Sequence, residues 1–254
     1  EVEDVLADLI MEEVTKRWDE HLGTVIAMRV RKLGELTLSE QVLDQPDPDT
    51  LQAGLLAAIR QRGLRCLPWT EPLRQWQARV GFLRASDPAS WPAVDDESLL
   101  KDLEIWLAPF LAGATRWADI ESLDLRAALD HMLDFDQRKR LAERAPEKIE
   151  IPTGRWVTLD YMAEGGPILA TKIQSVFGWK ESPTLDAGRV RVTLHLLSPA
   201  GRPAAITSDL ASFWSHGYPQ VRKDLRGRYP KHPWPDDPLC AKPSDHARRR
   251  NEAG

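Results

Sequence analysis

The sequence has 254 residues, of which 42% are hydrophobic and 29% are charged, and its formal net charge is −5. This composition excludes an intrinsically disordered chain, and the length allows one large or two medium domains. No stretch reaches the roughly 20 consecutive apolar residues of a membrane-spanning helix. The first residues, EVEDVLADLIMEEV, are acidic where a signal peptide is basic, so we predict a cytoplasmic protein without a membrane partner.

The cysteines and the first residue bear on the origin of the chain. Cys66 and Cys240 form no CxxC pair, so we predict two reduced thiols rather than a disulfide framework or a structural zinc site. The sequence does not begin with methionine, and its first residues already show an amphipathic pattern. We therefore expect a fragment of a longer protein.

The N-terminal region is predicted to hold a short helix and then three strands. In the middle strand Ile26, Met28 and Val30 occupy alternate positions, the period of two that a half-buried strand shows. Arg29 and Arg31 fall on the other face, so the strands predict an antiparallel meander with its basic residues outward. The predicted ranges are 2–9 for the helix and 12–18, 24–32 and 35–42 for the strands.

The middle of the chain has helical periodicity. Asp49 or Thr50 is predicted to cap the first helix, which ends near Gly63. Pro109 is predicted to bend or shorten the third helix, and the last one ends before Pro146. The apolar stripes of these helices indicate a helical core. The predicted ranges are about 51–63, 70–85 and 96–112, with two further short helices within 117–145.

After the helices the pattern returns to strands. The segment RVRVTLHLLSP is predicted to pair with PAAIT across a turn. Thr207 or Ser208 is predicted to cap a helix, and Pro219 to open another that runs to about Arg226. The tail 241–254 is polar and is predicted to be disordered. The other predicted strand segments are KIEIP, RWVTLDYM and the start of ILATKIQSVFG.

The sequence contains no motif for nucleotide hydrolysis or metal binding. There is no GxxxxGK[ST] loop to hold phosphates and no DExH sequence to hold magnesium. The six histidines are scattered singly, and His195 within VTLHLL is typical of a structural residue. A pocket that placed His131 or His195 beside a carboxylate would favour an unrecognised hydrolase. We predict no catalytic residue, no metal site and no cofactor for this chain.

The segment VRKDLRGRYPKHPWP mixes basic and aromatic residues densely. Cationic groups pair with phosphates and aromatic rings stack on unpaired bases, which suits single-stranded nucleic acid. The alternative is structural: Tyr229 and Trp234 would fix the chain end, and the arginines would form salt bridges. The candidate nucleic-acid-binding residues are Arg222, Lys223, Arg226, Arg228, Tyr229, Lys231, His232 and Trp234, together with Arg29 and Arg31 of the meander.

One long run resembles a known family. The run from Leu194 to Pro238 reads LHLLSPAGRPAAITSDLASFWSHGYPQVRKDLRGRYPKHPWPDDP, and it is similar to the C-terminal signature of the HrpB family of bacterial DEAH-box helicases. Further segments resemble the same region, so that the resemblance covers nearly the whole chain. These segments are RWDEHLGTVIAMRVRKLGELTLSE, GLRCLPWTEPLRQWQARVGFLR, DESLLKDLEIWLAPFLAG and IPTGRWVTLDYMAEGGPILATKIQSVFG.

The resemblance implies an ATP-dependent helicase acting on RNA as the parent protein. Its RecA-like motor domains, with ATP and magnesium, are absent from this chain and would be its partner. The chain would then be an accessory, non-catalytic region that helps to hold single-stranded RNA or DNA. The alternative is a docking or regulatory module without direct nucleic-acid contact, for which an exposed apolar patch would be the sign.

The residues and the resemblance together predict an α+β fold, with an antiparallel meander or OB-like barrel elements at both ends and a mainly helical middle. By analogy with the OB-type barrel of DEAH helicases, the strands within 10–43 and 148–206 would form one barrel-like unit around a helical insertion. Two independent units would explain the same pattern. The predicted domains are a β-rich meander at 1–45, a helical segment at 46–147, a mixed β/α domain at 148–240 and a disordered tail at 241–254.

Overall fold

The computed structural model describes residues 10–19, 24–43 and 47–245. The helix predicted at 2–9 lies outside these ranges, as does the predicted tail beyond Asp245. The described residues form an α+β fold, as predicted. The strands are β1 (Ile10–Asp19), β2 (Thr24–Leu33), β3 (Leu36–Val42), β4 (Lys148–Glu150), β5 (Trp156–Asp160), β6 (Ile168–Lys172), β7 (Thr184–Leu185), β8 (Val190–Arg191), β9 (Thr193–Leu197) and β10 (Pro203–Thr207).

The helices are mostly short. Within the described ranges, none combines the length and the apolar character that crossing a lipid bilayer requires. Short 3₁₀ turns occur at Leu64–Cys66, Ala108–Leu111 and Ile173–Val176, and a π-helical turn at Phe213–Gly217. The helices are α1 (Pro48–Arg62), α2 (Glu71–Ser86), α3 (Asp96–Lys101), α4 (Leu103–Trp106), α5 (Trp117–Glu121), α6 (Leu125–His131), α7 (Phe135–Arg144), α8 (Leu210–Ser212) and α9 (Tyr218–Arg226).

The chain divides into two compact units. The first unit comprises Glu1–Leu73 and Ala93–Asp134, and the second comprises Arg74–Pro92 and Phe135–Gly254. The segment predicted as one helical domain, 46–147, therefore contributes helices to both units. The predicted domain boundaries stay predictions.

The first unit contains an antiparallel sheet in the order β1-β2-β3. Gly34, with a φ of 58°, lies in the tight turn that joins β2 to β3, where a residue without Cβ adopts positive φ without strain. Helix α1 packs against β1 and β2, and Ala27 and Val30 of β2 are buried. The predicted antiparallel meander is confirmed.

Helix α1 begins earlier than predicted. Asp47, rather than Asp49 or Thr50, is the N-cap: its carboxylate accepts the Thr50 N–H at 2.9 Å and the Thr50 hydroxyl at 2.6 Å. Pro48 occupies the first helical position, where its missing N–H sacrifices no helical hydrogen bond, and this moves the cap upstream. The helix ends at Gly63, as predicted.

The helix predicted at 96–112 consists of three shorter pieces, α3, α4 and the turn Ala108–Leu111. Asp102 separates α3 from α4 with φ −102° and ψ 26°, and Pro109 has no N–H to continue a helical ladder. Likewise, α5, α6 and α7 replace the two helices predicted within 117–145. The helical core of the first unit includes the buried side chains of Leu55, Ile59, Leu99, Leu103, Trp106 and Leu107.

The second unit contains a five-stranded sheet in the order β10-β9-β6-β5-β4. Strand β9 pairs antiparallel with β10, which confirms the predicted hairpin, but it pairs parallel with β6. A parallel pair needs a long connection, and the chain between β6 and β9 provides one through a 3₁₀ turn and the β7–β8 hairpin. A bulge between Pro203 and Ala205 shifts the register of β10.

The two faces of this sheet differ in exposure. Leu159, Leu169 and Leu194 are buried Cα partners on the inner face. Because side chains alternate along a strand, Trp156 and Ile206 lie on the outer face, where they are 62% and 65% exposed. The unit therefore has one buried and one open sheet face.

The expectation of one barrel built from both ends of the chain is wrong. The strands within 10–43 form a sheet of the first unit, and those from β4 to β10 form the five-stranded sheet and the two-stranded β7–β8 sheet of the second. Over the described residues, no strand of one unit pairs with a strand of the other and no sheet closes into a barrel. Each strand instead pairs mainly with near neighbours in sequence, which requires shorter loops to close. This favours the alternative of separate units.

Candidate nucleic-acid interface

Helix α9 carries three of the predicted residues and is anchored by its inner face. Pro219 lies in its first turn, as predicted, and Tyr218 and Leu225 are buried. Asp209, rather than Thr207 or Ser208, caps the preceding helix α8 by accepting the N–H of the last α8 residue. The predicted residues on α9 are Arg222, Lys223 and Arg226.

Gly217, directly before α9, has no room for a side chain. A Cβ atom there would lie 2.7 Å from the ring of Phe213, so Gly217→Ala is expected to destabilise the fold by about 1–3 kcal/mol through overpacking. Gly227 is the matched control, because it has φ −68° and nothing within 4 Å of an added Cβ. Gly227→Ala is expected to be neutral or to stabilise by up to about 1 kcal/mol. Urea denaturation checks both, and equal midpoints would contradict the expectation.

Trp234 fixes the segment that follows α9. It is 7% exposed, and its indole N–H donates to the carbonyl of Tyr229 at 3.0 Å. The hydroxyl of Tyr218 donates to the carbonyl of Pro235 at 3.0 Å, and burial raises the pKa of Tyr218 to about 12, so this donor keeps its proton. A base cannot stack on a buried indole. Trp234 therefore fixes the chain end, as the structural alternative to nucleic-acid binding predicts.

Arg222 belongs to the same clamp. Its Nε donates to the carbonyl of Trp234 at 2.9 Å, and its guanidinium lies 2.6 Å from the carboxylate of Asp236. A guanidinium held in this way has fewer donors left for a phosphate. In this arrangement Arg222 is a structural residue.

Four other cations are exposed: Lys223, Arg226, Arg228 and Lys231. Lys223 and Arg226 are three positions apart on α9, which places them on one helix face. Within the described part of the chain, none of the four forms an ion pair with a carboxylate. We call these four residues the cationic strip.

Two aromatic rings accompany the cationic strip. Tyr229 and His232 are half-buried and meet edge to face, with ring centroids 6.4 Å apart. Burial and, secondly, the positive charge of Lys172 lower the pKa of His232 below its ordinary 6.5. Partly exposed rings beside cations are what the stacking of unpaired bases requires.

Arg29 and Arg31 lie on β2 in the first unit. Arg29 is exposed, whereas Arg31 is half-buried and lies 3.6 Å from Glu12 on the neighbouring strand. Lys32 contacts Glu13 in the same way. Opposite charges across a strand pair offset one another, so this sheet is a weaker candidate for phosphate contacts than the cationic strip.

The histidines that would have favoured a hydrolase have other surroundings. His131 meets the ring of Phe110 edge to face at a centroid distance of 5.7 Å. His195 is half-buried on β9. Over residues 47–245 neither imidazole forms a hydrogen bond to a carboxylate. These surroundings give the hydrolase interpretation no support.

Sequence reasoning missed two features of the second unit. Trp156 is exposed, although the alternation in RWVTLDYM already places it with Thr158 and Asp160 on one face. Asp245 falls in the predicted disordered tail, yet its carboxylate accepts the hydroxyl of Ser175 at 2.5 Å. No local pattern signals that contact, because the two residues are 70 positions apart.

Comparisons with known proteins give a consistent result. Residues 106–238 match the family described as ATP-dependent helicase C-terminal, and residues 9–43 match the family described as ATP-dependent RNA helicase HrpB, connector region. The chain is 40% identical over 242 residues to the ATP-dependent RNA helicase HrpB of Escherichia coli strain K12. That alignment covers 95% of this chain and 30% of the relative. The chain thus spans less than a third of that relative's length.

Two solved structures are similar to the fold. The crystal structure of E. coli DExH-box NTPase HrpB matches with a TM-score of 0.80 and 39% identity, covering 96% of this chain and 31% of that chain. The crystal structure of Escherichia coli DEAH/RHA helicase HrpB matches with a TM-score of 0.69 and 39% identity, covering 89% of this chain and 29% of that chain. Since the C-terminal family match alone covers more than half of the sequence, the chain belongs to the HrpB family of ATP-dependent helicases, of which it represents the connector and C-terminal regions.

Proposed function

We propose that this chain is an accessory region of an RNA helicase, which holds a single strand for RecA-like motor domains elsewhere in the same protein. The cationic strip carries the proposal, because its four exposed cations have no carboxylate partner among the described residues. The curated relative is described as an RNA helicase, which favours RNA over DNA. The cytoplasmic location predicted from the sequence belongs to the same proposal.

The architecture suits a local contact better than broad coating of a nucleic acid. The net charge of −5 works against extensive binding to a polyanion. The cationic strip, by contrast, lies within nine residues, and the clamp around Trp234 fixes its position in the second unit. The strip would therefore meet a few successive phosphates while Tyr229 and His232 meet bases.

ATP and magnesium, which the family implies for the motor domains, do not fit the residues of this chain. Neither a GxxxxGK[ST] loop nor a DExH sequence is present to cradle phosphates or to hold the metal ion. The contribution of this chain to the reaction is therefore binding and positioning. No step of nucleotide hydrolysis is assigned to it.

We expect the double variant Arg226→Glu with Arg228→Glu, which reverses two charges of the strip, to weaken binding of single-stranded RNA. At low salt the loss should be about tenfold or more. Each lost phosphate contact also removes counterion release, so the slope of log K against log salt should become shallower by about 1.4 for two contacts. Fluorescence anisotropy of a labelled RNA oligonucleotide, measured with the full chain over a salt series, checks both quantities.

The matched control is Lys139→Glu with Arg202→Glu. Both residues are exposed in the second unit, one on α7 and the other in the turn between β9 and β10, and the change in net charge is the same. If the control weakens binding as much as the strip variant, the contact depends on overall charge. The proposal for the strip then fails.

A docking module for the motor domains is the second candidate, and the exposed outer face of the five-stranded sheet favours it. Trp156 and Ile206 on that face are both more than half exposed, so the face offers apolar side chains that a partner would cover. Trp156→Ala with Ile206→Ser should then weaken binding to the separately produced motor domains and leave RNA binding unchanged. If RNA binding falls instead, the aromatic ring serves the nucleic acid.

A further inference from the structure

The last described residues form a strap over the second unit. We define the strap as Pro238–Asp245. At one end of the strap, the carbonyl of Pro238 accepts a hydrogen bond from the N–H of Gly178 at 3.0 Å. Near the other end, the N–H of Ser244 donates to the carbonyl of Gln174 at 2.9 Å. The strap therefore lies against the 3₁₀ turn Ile173–Val176, whose four residues are all buried.

The strap ends on three donors around Asp245, of which two face its carboxylate and one faces its backbone carbonyl. Ser175, which is fully buried, donates its hydroxyl to Asp245 at 2.5 Å. The guanidinium of Arg155 lies 3.4 Å from the same carboxylate oxygen and also donates to the hydroxyl of Thr171 at 3.2 Å. The ammonium of Lys172 donates to the Asp245 carbonyl at 3.4 Å. Asp245 thus meets a hydroxyl, a guanidinium and an ammonium group together.

This combination of donors is the one that proteins use for phosphates. Guanidinium and ammonium groups supply the positive charge, and a fixed hydroxyl supplies a directed hydrogen bond. A carboxylate and a backbone phosphate diester each carry one negative charge on two terminal oxygens. The Asp245 carboxylate therefore resembles a backbone phosphate in its charge and in its hydrogen-bond acceptors.

The donor set also adjoins the proposed interface. Lys172 is near enough to His232 for its charge to lower the pKa of that ring, and the ring meets Tyr229, which lies between Arg228 and Lys231 of the cationic strip. A single strand that stacks on these two rings would therefore lie near Lys172. The phosphate at that point would meet the position that Asp245 occupies.

We infer that Arg155, Lys172 and Ser175 form a phosphate-binding site for the nucleic-acid backbone, and that Asp245 of the strap occupies this site and competes with the strand. The inference rests on the proposed function, because it adds one phosphate contact and a means of regulation to the same surface. Binding of the strand releases the strap. The observed affinity for the strand equals the affinity of the open form multiplied by the fraction of molecules in which the strap is open.

Asp245→Asn tests the inference, because it keeps the size of the side chain and removes its charge. In the full chain it is expected to tighten single-stranded RNA binding by roughly three- to tenfold, because the strap no longer competes with the strand. Glu143→Gln, an exposed carboxylate on α7, is the control for net charge. A gain no larger than that of the control would overturn the inference.

A second variant tests the phosphate contact at Arg155. Adding Arg155→Gln to Asp245→Asn is expected to abolish the gain in affinity and to make the slope of log K against log salt shallower than that of the parent chain by about 0.7, because the phosphate contact itself is lost. If the gain persists without the guanidinium, the phosphate is not held at Arg155 and the inference is wrong. If Asp245→Asn binds RNA and the parent does not, the strap is supported while the proposal for the exposed strip fails.

Displacement of the strap has a direct readout in hydrogen exchange. Saturating RNA should speed exchange of the Ser244 amide, which donates to Gln174 while the strap is closed. Continued protection of this amide in the RNA complex would overturn the inference. Inorganic phosphate at matched ionic strength is the second probe, and a response to it but not to RNA would contradict the assignment to a nucleic-acid backbone.

Discussion

Replacing Asp186 with alanine is expected to lower the free energy of unfolding by about 3 kcal/mol, the lower end of what the loss of one partner costs a buried ion pair. The Asp186 side chain is 1% exposed and accepts hydrogen bonds from Nε of Arg144 at 2.7 Å and from the hydroxyl of Ser86 at 3.0 Å. The Arg144 side chain is itself 17% exposed, so alanine would leave a guanidinium with little water and no carboxylate there. Urea-induced unfolding followed by circular dichroism measures the change.

The effect of this substitution should depend on pH. Burial opposes the charged form of Asp186, but hydrogen bonds from Arg144 and Ser86 and the charges of Arg144 and Arg189 lower its pKa below the ordinary 3.8. Such a group stabilises the folded state at pH values above 3.8 and loses that contribution as the pH falls through the folded-state pKa. The difference in unfolding free energy between parent and variant should therefore shrink in strong acid.

Asp224 provides the control for Asp186. It is an exposed carboxylate of the second unit that accepts a hydrogen bond from Gln220 on α9. Asp224→Ala is expected to change the free energy of unfolding by less than about 0.5 kcal/mol. Similar urea midpoints for the two variants would show that the buried ion pair contributes little.

Replacing Trp234 with alanine is expected to destabilise the second unit by about 3–5 kcal/mol, the range found when a buried Trp or Phe is truncated. The substitution removes a side chain that is 7% exposed and the hydrogen bond from its indole to Tyr229. The cavity would also disturb the backbone carbonyl that Arg222 holds at 2.9 Å. Chemical denaturation of the full chain measures the loss.

Trp156 is the matched control, because it is also a tryptophan of the second unit but is 62% exposed. Trp156→Ala is expected to change the free energy of unfolding by less than about 0.5 kcal/mol. Trp234→Phe should fall between the two, since the ring stays buried while the carbonyl of Tyr229 loses its donor, at about 1–3 kcal/mol. A small effect of Trp234→Ala would mean that the clamp does not hold the chain end.

The periodic parts of the fold were predictable from the sequence. Alternation along β2 predicted the meander, because a period of two places side chains on two faces of the strand whatever lies nearby. The parallel pairing of β6 with β9 was not predictable, because no local pattern records which distant strand a segment joins. The cap at Asp47 was missed although Pro48 signals it, since proline prefers the first helical position.

The sequence predicted which types of residue form the candidate site, but not which of them bind a ligand and which hold the fold together. The basic and aromatic composition of residues 221–235 marked the region, but it could not separate Arg222 from Arg226. Arg222 is engaged because a carbonyl 12 residues away and the Asp236 carboxylate lie within its reach, whereas Arg226 is exposed. Such differences arise from tertiary contacts between residues that are not adjacent in sequence.

Strand β10 lies at one end of the five-stranded sheet and has a consequence for how copies of the protein meet. The outer edge of an end strand can template pairing with a strand of another molecule and so lead to aggregation. Pro203 has no N–H to offer, and the bulge before Ala205 shifts the spacing of the groups that follow. Pro203 and the bulge therefore disfavour pairing between two copies of the protein along this edge of the sheet.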